Sequence, residues 1–253
     1  MDHIFAKKSL GQNWLVSQSA LQKIIDAASL KPGEQVLEIG PGRGALTERL
    51  LAADAKVTAI EKDRRLMEPL AEKFKVEIEK GQLTLLECDA LDLPPNLLQA
   101  LAPYKLVANI PYYITGEIIR QFLEAEHQPT QAVILVQKEV ADRIVALNHK
   151  ESILSLSVKA YGVPKLIAKV PRGAFRPVPN VDSAILAISD INKNYFGDFT
   201  EKAFFDLIKK GFAQKRKLLR SNLNLAEGVL TSWDLPEKSR AEDLTLTDWQ
   251  NLL

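Results

Sequence analysis

The chain has 253 residues, of which 46% are hydrophobic and 26% charged. These proportions are typical of a folded globular protein and exclude a disordered, collagen-like or low-complexity chain. The single cysteine, Cys88, excludes an internal disulfide, and the three histidines are too scattered to form a zinc site with it. No apolar run approaches the roughly 18 residues that span a bilayer, and the first residues lack the apolar core of a signal peptide. We therefore expect a cytoplasmic protein without a metal centre.

The first 190 residues alternate short apolar runs with amphipathic stretches, a pattern typical of βαβ units around a parallel sheet. Seven runs predict strands, at residues 35–39, 56–60, 83–86, 104–108, 131–136, 154–170 (broken near Pro164) and 181–189. Helices are predicted at residues 17–29, 44–53, 63–79, 115–125 and 138–147, with Ser17 as the first N-cap. The last two strands have no helix between them, which predicts an antiparallel pair at one edge of the sheet.

The strand pattern ends after Ile191, where an aromatic and lysine-rich helical stretch at residues 200–214 is followed by three shorter helical candidates. About sixty residues without strands are few for an independent core. We therefore predict an α/β, Rossmann-like sheet domain over residues 1–190 and a small helical domain over residues 191–253 that docks on it.

The net charge of +1 conceals a basic region. Residues 165–220 contain 12 basic and 5 acidic side chains, and no acid occurs between Asp206 and Glu227. The basic side chains of that acid-free stretch are Lys209, Lys210, Lys215, Arg216, Lys217 and Arg220. Such a run favours a surface that binds nucleic-acid phosphates, although a solvated helix flank would have the same composition.

A glycine-rich turn follows the first strand of the predicted sheet. Gly40, Gly42 and Gly44 allow a ligand to approach the backbone closely, and the N-terminus of the next helix offers free N–H groups. Glu61 ends the second strand, where a carboxylate can accept both hydroxyls of a ribose. The glycine-rich turn and Glu61 together predict a nucleoside cofactor, namely NAD, FAD or S-adenosylmethionine. The spacing GxGxG, with Pro41 inside it, disfavours NAD, and a simple connecting turn is the alternative.

Two further strand ends carry polar residues. Asp89 follows the third strand, where its carboxylate can accept an adenine amino group or serve only as a helix N-cap or turn former. Asn109 ends the fourth strand, and its side-chain oxygen together with the Ile110 carbonyl can accept both hydrogens of an exocyclic amine. Pro111 stiffens this turn, and Tyr112 can stack on a base. A strand-end turn with an asparagine cap is the alternative.

Motifs along nearly the whole chain occur in the order found in one known family. They are residues 7–15 (KKSLGQNWL), 38–42 (EIGPG), 109–112 (NIPY), 137–140 (QKEV), 174–177 (AFRP), 181–184 (VDSA) and 240–242 (RAE). Together they resemble the rRNA adenine N6,N6-dimethyltransferases. Residues 212–223 and 240–244 are similar to the housekeeping, small-subunit branch (the KsgA type) rather than to the large-subunit resistance methylases (the Erm type). The resemblance implies a seven-stranded methyltransferase sheet with a small helical C-terminal domain.

The resemblance also implies roles for residues that bind the cofactor, S-adenosylmethionine. Asn13 and Leu15 would cover its methionine end, and Gly40 would lie beneath it. Glu61 would hold the ribose, and Asp89 would contact the adenine.

Substrate roles follow from the same resemblance. Asn109 would face both the cofactor's methyl group and the target amine, as a catalytic residue that also binds cofactor. Tyr112, the second catalytic residue, would pack on one face of the flipped adenine and Phe175 on the other. The chain departs from the usual family pattern at Trp14, where Phe is common, and at Tyr113, where Asn is frequent.

The sequence therefore predicts an enzyme that dimethylates N6 of two adjacent adenines in the 3′-terminal hairpin of small-subunit (16S) rRNA. We expect Lys215, Arg216, Lys217 and Arg220 to contact that RNA, and the chain to act as a monomer without metal or membrane. Three alternatives remain: a large-subunit resistance methylase, a ribosome assembly factor whose methylation is secondary, and a small-molecule or NAD enzyme.

Overall fold

The computed structural model describes residues 4–7 and 10–253. His3, and Lys8 and Ser9 of the N-terminal motif, lie outside the described residues. The chain forms two compact units, of which the first runs to Ala141 and resumes over Lys165–Ile191. The second unit consists of Asp142–Pro164 and Asn192–Leu253. It differs from the predicted helical domain, which began at residue 191, because it also takes in Asp142–Pro164.

Most predicted elements form, with shifts of a few residues at their ends. The strands are β1 (Trp14–Leu15), β2 (Gln35–Ile39), β3 (Lys56–Glu61), β4 (Leu83–Glu87), β5 (Lys105–Asn109), β6 (Gln131–Gln137), β7 (Val163–Val170), β8 (Phe175–Arg176) and β9 (Ser183–Ser189). The α-helices are α1 (Gln18–Ala28), α2 (Ala45–Ala52), α3 (Arg64–Lys73), α4 (Lys75–Glu79), α5 (Leu97–Leu101), α6 (Thr115–Glu124), α7 (Lys138–Ile144), α8 (Ile153–Lys159), α9 (Glu201–Gly211), α10 (Leu219–Leu223) and α11 (Leu246–Asn251).

Seven strands form one mixed sheet in the order β4-β3-β2-β5-β6-β9-β7. The pairs from β4 to β6 are parallel, and β9 runs antiparallel to β6. This confirms the predicted Rossmann-like α/β class. Strand β3 lies on one side of β2, and β5 lies on the other side. The strand order therefore reverses between β2 and β5. Open α/β sheets bind ligands at the carboxyl ends of the strands that flank such a reversal.

The central strands are apolar because both faces of the sheet are covered. Val36 and Leu37 of β2 and Val107 and Ala108 of β5 are fully buried, and burial of each larger side chain contributes about 1.5–3 kcal/mol. Helix α1 starts where predicted, since Ser17 Oγ accepts a hydrogen bond from the N–H of Ala20 at 3.3 Å. These contacts hold the strand ends in a defined arrangement.

The prediction of a broken strand over residues 154–170 is wrong in its first half. Residues of α8 form a helix instead, because Ser152 and Ser155 make a reciprocal capping box. Ser152 Oγ accepts from the N–H of Ser155 at 3.1 Å, and Ser155 Oγ accepts from the N–H of Ser152 at 2.7 Å. Only Val163–Val170 enters the sheet, as β7.

The second unit has an aromatic core of its own. Phe204 on α9 is fully buried, and Tyr195 donates a hydrogen bond to the carbonyl of Leu246 at 2.9 Å. Ring pairs in this cluster have centroids 5.1–6.4 Å apart, a spacing typical of favourable aromatic contacts. Its members are Tyr161, Tyr195, Phe196, Phe199, Phe204 and Phe205.

Candidate active site

A cavity of about 360 Å³ opens at the carboxyl ends of β2, β3, β4 and β5. The N-terminal wall, which we define as residues 10–14, closes one side of it. Six of the predicted site residues line this cavity together, although they come from distant parts of the chain: Asn13, Gly40, Glu61, Asp89, Asn109 and Tyr112. Parallel strands bring their carboxyl ends to one edge, and this is what assembles the residues.

The glycine turn approaches the N-terminal wall closely. Gly42 has a positive φ of 58°, and a Cβ atom there would lie 2.9 Å from Cδ1 of Trp14. Only glycine fits this contact without displacing the indole. Gly40 also has a positive φ, 69°, and it lines the cavity floor beside Asn109.

Glu61 is nearly buried and its carboxylate is held by two backbone donors. Oε2 accepts from the N–H of Gly42 at 3.2 Å, and Oε1 accepts from the N–H of Asp63 at 2.8 Å. Burial raises the pKa of Glu61, while these two hydrogen bonds oppose that rise. The carboxylate is thereby fixed in the cavity wall at the position predicted for ribose binding.

Asp89 is paired with a lysine that the sequence reasoning did not single out. Lys62 Nζ lies 2.5 Å from Oδ2 of Asp89, and Oδ1 accepts from the N–H of Leu91 at 3.1 Å. The hydrogen bond from Lys62 is the main reason why the pKa of Asp89 is lowered. Asp89 is therefore an acceptor at the cavity wall that also closes the local turn. The next helix starts only at Leu97, so Asp89 forms a turn and does not cap a helix.

The amide of Asn109 is oriented by the N-terminal wall. Its Nδ2 donates to the carbonyl of Asn13 at 3.3 Å. Asn109 Oδ1 makes no hydrogen bond to any residue that the structure describes. An unused acceptor thus remains on a side chain that lines the cavity, as the exocyclic-amine prediction requires.

Tyr112 is held from behind by a buried serine. Its hydroxyl lies 2.6 Å from Oγ of Ser183 at the start of β9, and Ser183 is fully buried. Burial raises the pKa of Tyr112. The resemblance to the family included the motif at residues 181–184, but the pairing of its serine with Tyr112 depends on the packing of β9 beside β6.

Leu15 and Phe175 do not line the cavity, in contrast to the roles that the resemblance implies. The two residues pair across the short β1–β8 ladder, and both are buried in the hydrophobic core, with 5% and 0% exposure. Side chains alternate along a strand, so Trp14 contacts the glycine turn while Leu15 enters the core. A contact of Phe175 with a base would require its ring to leave that core.

Glu38, in β2 beneath the cavity, is a buried acid that the sequence reasoning did not single out. It is fully buried, and its Oε2 accepts from Thr47 Oγ1 at 2.7 Å. Its Oε1 has no hydrogen-bond partner in the part of the chain that the structure describes. Burial raises its pKa to about 8, and the nearby charge of Glu61 acts in the same direction.

We expect this group to make stability depend on pH. The unfolded carboxyl ionises near its ordinary pKa of 4.5, whereas the folded one keeps its proton until about pH 8. The folded state therefore binds more protons in this window, and the free energy of unfolding falls by about 1.4 kcal/mol for each unit by which the pH rises through it.

Glu38→Gln removes this titration and should raise the free energy of unfolding at pH 8 by a few kcal/mol, on the order expected for such a shift. Near pH 5 the variant and the wild type should be close. Urea unfolding at both pH values measures the difference. Parallel pH profiles for the two proteins would contradict the assignment.

The basic run lies in the second unit, at and after the end of α9. Lys215, Arg216 and Lys217 are exposed and Arg220 is half-buried. None of these four side chains forms an ion pair with an acid in the described part of the chain. Their charges are therefore available to an external anion.

Residues 4–7 and 10–253 contain neither a metal-binding cluster nor a membrane-spanning helix. These residues hold no cluster of three or more His, Cys, Asp or Glu side chains that could bind a metal ion. None of their helices is long and apolar enough to cross a membrane.

Comparison with known proteins confirms the resemblance. A model of the family "Ribosomal RNA adenine dimethylase" matches residues 5–252. Ribosomal RNA small subunit methyltransferase A of Dehalococcoides mccartyi (strain CBDB1) is 43% identical over 98% of this chain and 87% of its own length. The protein of that name from Clostridioides difficile (strain 630) is 35% identical over 97% of this chain and 89% of its own.

Solved structures give the same result at the level of the fold. A dimethyladenosine transferase from Plasmodium falciparum has a TM-score of 0.77 and 28% identity, covering 94% of this chain and 95% of that one. The 23S rRNA methyltransferase ErmE has a TM-score of 0.76 and 27% identity, covering 95% and 98%. With a family model that spans nearly its whole length, the chain belongs to the ribosomal RNA adenine dimethylase family.

Proposed function

We propose that this enzyme transfers methyl groups from S-adenosylmethionine to N6 of two adjacent adenines in the 3′-terminal hairpin of small-subunit (16S) rRNA. The observation that carries the proposal is the cavity in which Glu61, Asp89 and the unused Oδ1 of Asn109 meet. The names of the relatives from Dehalococcoides mccartyi and Clostridioides difficile favour the small subunit over the large one. The proposal implies a cytoplasmic enzyme, and we expect it to act as a monomer.

The cavity residues fit S-adenosylmethionine. Its ribose hydroxyls suit the fixed carboxylate of Glu61, and its adenine amino group suits the acceptor Asp89. Gly40 and Gly42 leave the cavity floor free of side chains, and the N-terminal wall closes the side at Asn13. When bound, this cofactor supplies a methyl group that is already activated on a sulfonium.

The residues of the chain orient the target amine. Asn109 Oδ1 and the carbonyl of Ile110 accept the two N6 hydrogens, which directs the nitrogen lone pair away from the purine ring. Tyr112, anchored through Ser183, stacks on the base. Placing reacting atoms about 3–3.5 Å apart accounts for a large part of such rate enhancements, and no nucleophilic side chain is needed.

The second transfer sets a further requirement. A monomethylated amine has only one hydrogen left to donate, so it makes one contact fewer with Asn109 and Ile110. Stacking on Tyr112 does not depend on that hydrogen. We therefore expect the anchored ring to contribute more to the second round than to the first.

Small and large ribosomal subunits that lack adenine dimethylation provide the direct test. The enzyme is incubated with each subunit and labelled S-adenosylmethionine, and the rRNA is analysed as nucleosides. We expect N6,N6-dimethyladenosine in the small subunit alone, at two residues per subunit. Label in the large subunit would instead select the resistance branch, and cofactor binding without transfer would favour an assembly role.

The cofactor is tested separately by thermal unfolding. S-adenosylhomocysteine at a hundredfold excess over its Kd should stabilise the protein by about 2.7 kcal/mol, whereas NAD at the same concentration should leave it unchanged. Stabilisation by NAD alone would contradict the proposed cofactor.

A further inference from the structure

The N-terminal wall is held against the glycine turn by one arginine. The guanidinium of Arg43 lies over the ring of Trp14, 4.1 Å from its centroid, within the range of a cation–π contact. Arg43 Nη2 also donates to the carbonyl of Ile4 at 2.8 Å. Trp14 Nε1 is buried and has no hydrogen-bond partner among residues 4–7 and 10–253, so the contacts with Arg43 and Gly42 hold the indole through its ring.

The position of Trp14 determines the position of a neighbouring oxygen. The carbonyl of Asn13 belongs to the peptide bond that joins Asn13 to Trp14, and this bond is planar. That same carbonyl accepts the hydrogen bond from Nδ2 of Asn109 at 3.3 Å. Contacts that fix Trp14 therefore also restrain the backbone acceptor that the Asn109 amide uses, together with the ladder pairing of Trp14 with Arg176.

A second contact holds the same wall from the other side. Gln12 Nε2 donates to Asp63 Oδ2 at 2.9 Å, and Arg65 fixes that carboxylate with Nη2 at 2.6 Å. The N–H of Asp63 in turn donates to Glu61. Through Asp63, this contact connects the N-terminal wall with Glu61, the predicted ribose site. The Arg43 contact is made with Trp14, next to the Asn13 carbonyl that Asn109 binds.

We propose that Arg43 is a positioning residue for methyl transfer, because through Trp14 it holds the Asn13 carbonyl that orients the Asn109 amide. The inference rests on the proposed function, since it takes Asn109 Oδ1 as the acceptor for the target amine. Without this restraint the Asn109 amide can rotate and present its NH₂ group to the target amine. An amide NH₂ group cannot accept a hydrogen bond, so the amine would lose its acceptor. Removing Arg43 should therefore lower kcat more than it lowers the affinity for the cofactor.

The test compares Arg43→Met and Arg43→Lys with the wild type. Undermethylated small subunits and S-adenosylmethionine at saturating concentrations give kcat, and calorimetry gives the Kd for S-adenosylhomocysteine. We expect Arg43→Met to lower kcat about tenfold while the Kd changes less than about threefold. Arg43→Lys keeps a cation over the indole and should recover part of kcat. Arg49→Met, which removes an arginine bonded to Gln18 on the surface, is the matched control and should behave as the wild type.

Two further measurements separate positioning from a merely structural role. Trp14→Phe weakens the cation–π contact, so adding it to Arg43→Met should lower kcat little further, since both changes act through one contact. Hydrogen exchange of the amides in residues 10–15 should be faster in Arg43→Met, and this readout does not require activity.

The outcomes are distinct. Wild-type kcat in Arg43→Met, with the wild-type enzyme active, would overturn the assignment of Arg43 and leave the proposed function standing. Unchanged exchange in residues 10–15 would also overturn it, because the wall would then not depend on Arg43. A wild-type enzyme that transfers no methyl group would overturn both.

Discussion

Asn109→Ala should lower kcat for methyl transfer by about 10³-fold, the loss typical when one preorganised polar group at a reacting centre is removed. In the proposed mechanism Asn109 Oδ1 accepts an N6 hydrogen, and alanine cannot, so the amine would no longer be held with its lone pair towards the methyl group. Glu61 and Asp89, which we propose to hold the adenosine of the cofactor, are unchanged, and their backbone donors still fix both carboxylates. We therefore expect the Kd for S-adenosylhomocysteine to change by only a few-fold.

Single-turnover transfer to undermethylated small subunits measures this effect, with calorimetry for the cofactor. Asn251→Ala, at an exposed position in α11, is the matched control and should retain wild-type turnover. Asn109→Asp keeps an oxygen acceptor but loses the donor to Asn13, so its activity should lie between those of the wild type and Asn109→Ala. Dimethylation by Asn109→Ala at nearly the wild-type rate would refute the assigned role.

The second large effect concerns RNA binding. Reversing Lys215, Arg216 and Lys217 to Glu should weaken binding to small-subunit rRNA by at least about 100-fold at 0.1 M salt. These side chains are exposed and form no ion pairs with described acids, so their charges are free to contact phosphates. The association constant falls as salt increases, and each lost phosphate contact should make the slope of its logarithm against log salt less negative by about 0.7–0.9.

Binding isotherms at several salt concentrations measure both quantities. The control variant reverses three exposed lysines of the first unit, Lys23, Lys56 and Lys80, and so changes the net charge equally. It should alter affinity far less, because general charge repulsion is screened within about 10 Å at this salt. If the two variants bind alike, the basic run is only a solvated helix flank.

The strand and helix order could be predicted because it depends on local periodicity. The strands β2, β3, β4 and β5 begin and end within one residue of their predicted bounds. Residues 154–170 are the exception, since an apolar run of that length fits a buried helix as well as a strand. The capping box formed by Ser152 and Ser155 stabilises the helix in the first half of this run. A serine followed three residues later by another serine is a weaker sequence signal for a helix start than a serine followed by glutamate.

The members of the cavity could also be predicted in large part. The glycine turn, Glu61, Asp89 and Asn109 each follow a strand of a parallel sheet, and such a sheet brings these ends to one edge whatever the helices between them contain. The family resemblance then assigned chemistry to them. No knowledge of side-chain packing was needed for these residues.

Tertiary structure alone decided which way other side chains face. Leu15 and Phe175 are buried because a two-residue strand pairs with another about 160 positions away, and this pairing sets the alternation of both. The contacts of Ser183 with Tyr112 and of Arg43 with Trp14 likewise join residues that are distant in the chain or only meet through the fold. The sequence by itself thus determined the fold class, the family and the strand-end residues, since these depend on local pattern. The orientations of the Asn109 amide and of the Tyr112 ring depend on contacts that exist only once the chain has folded.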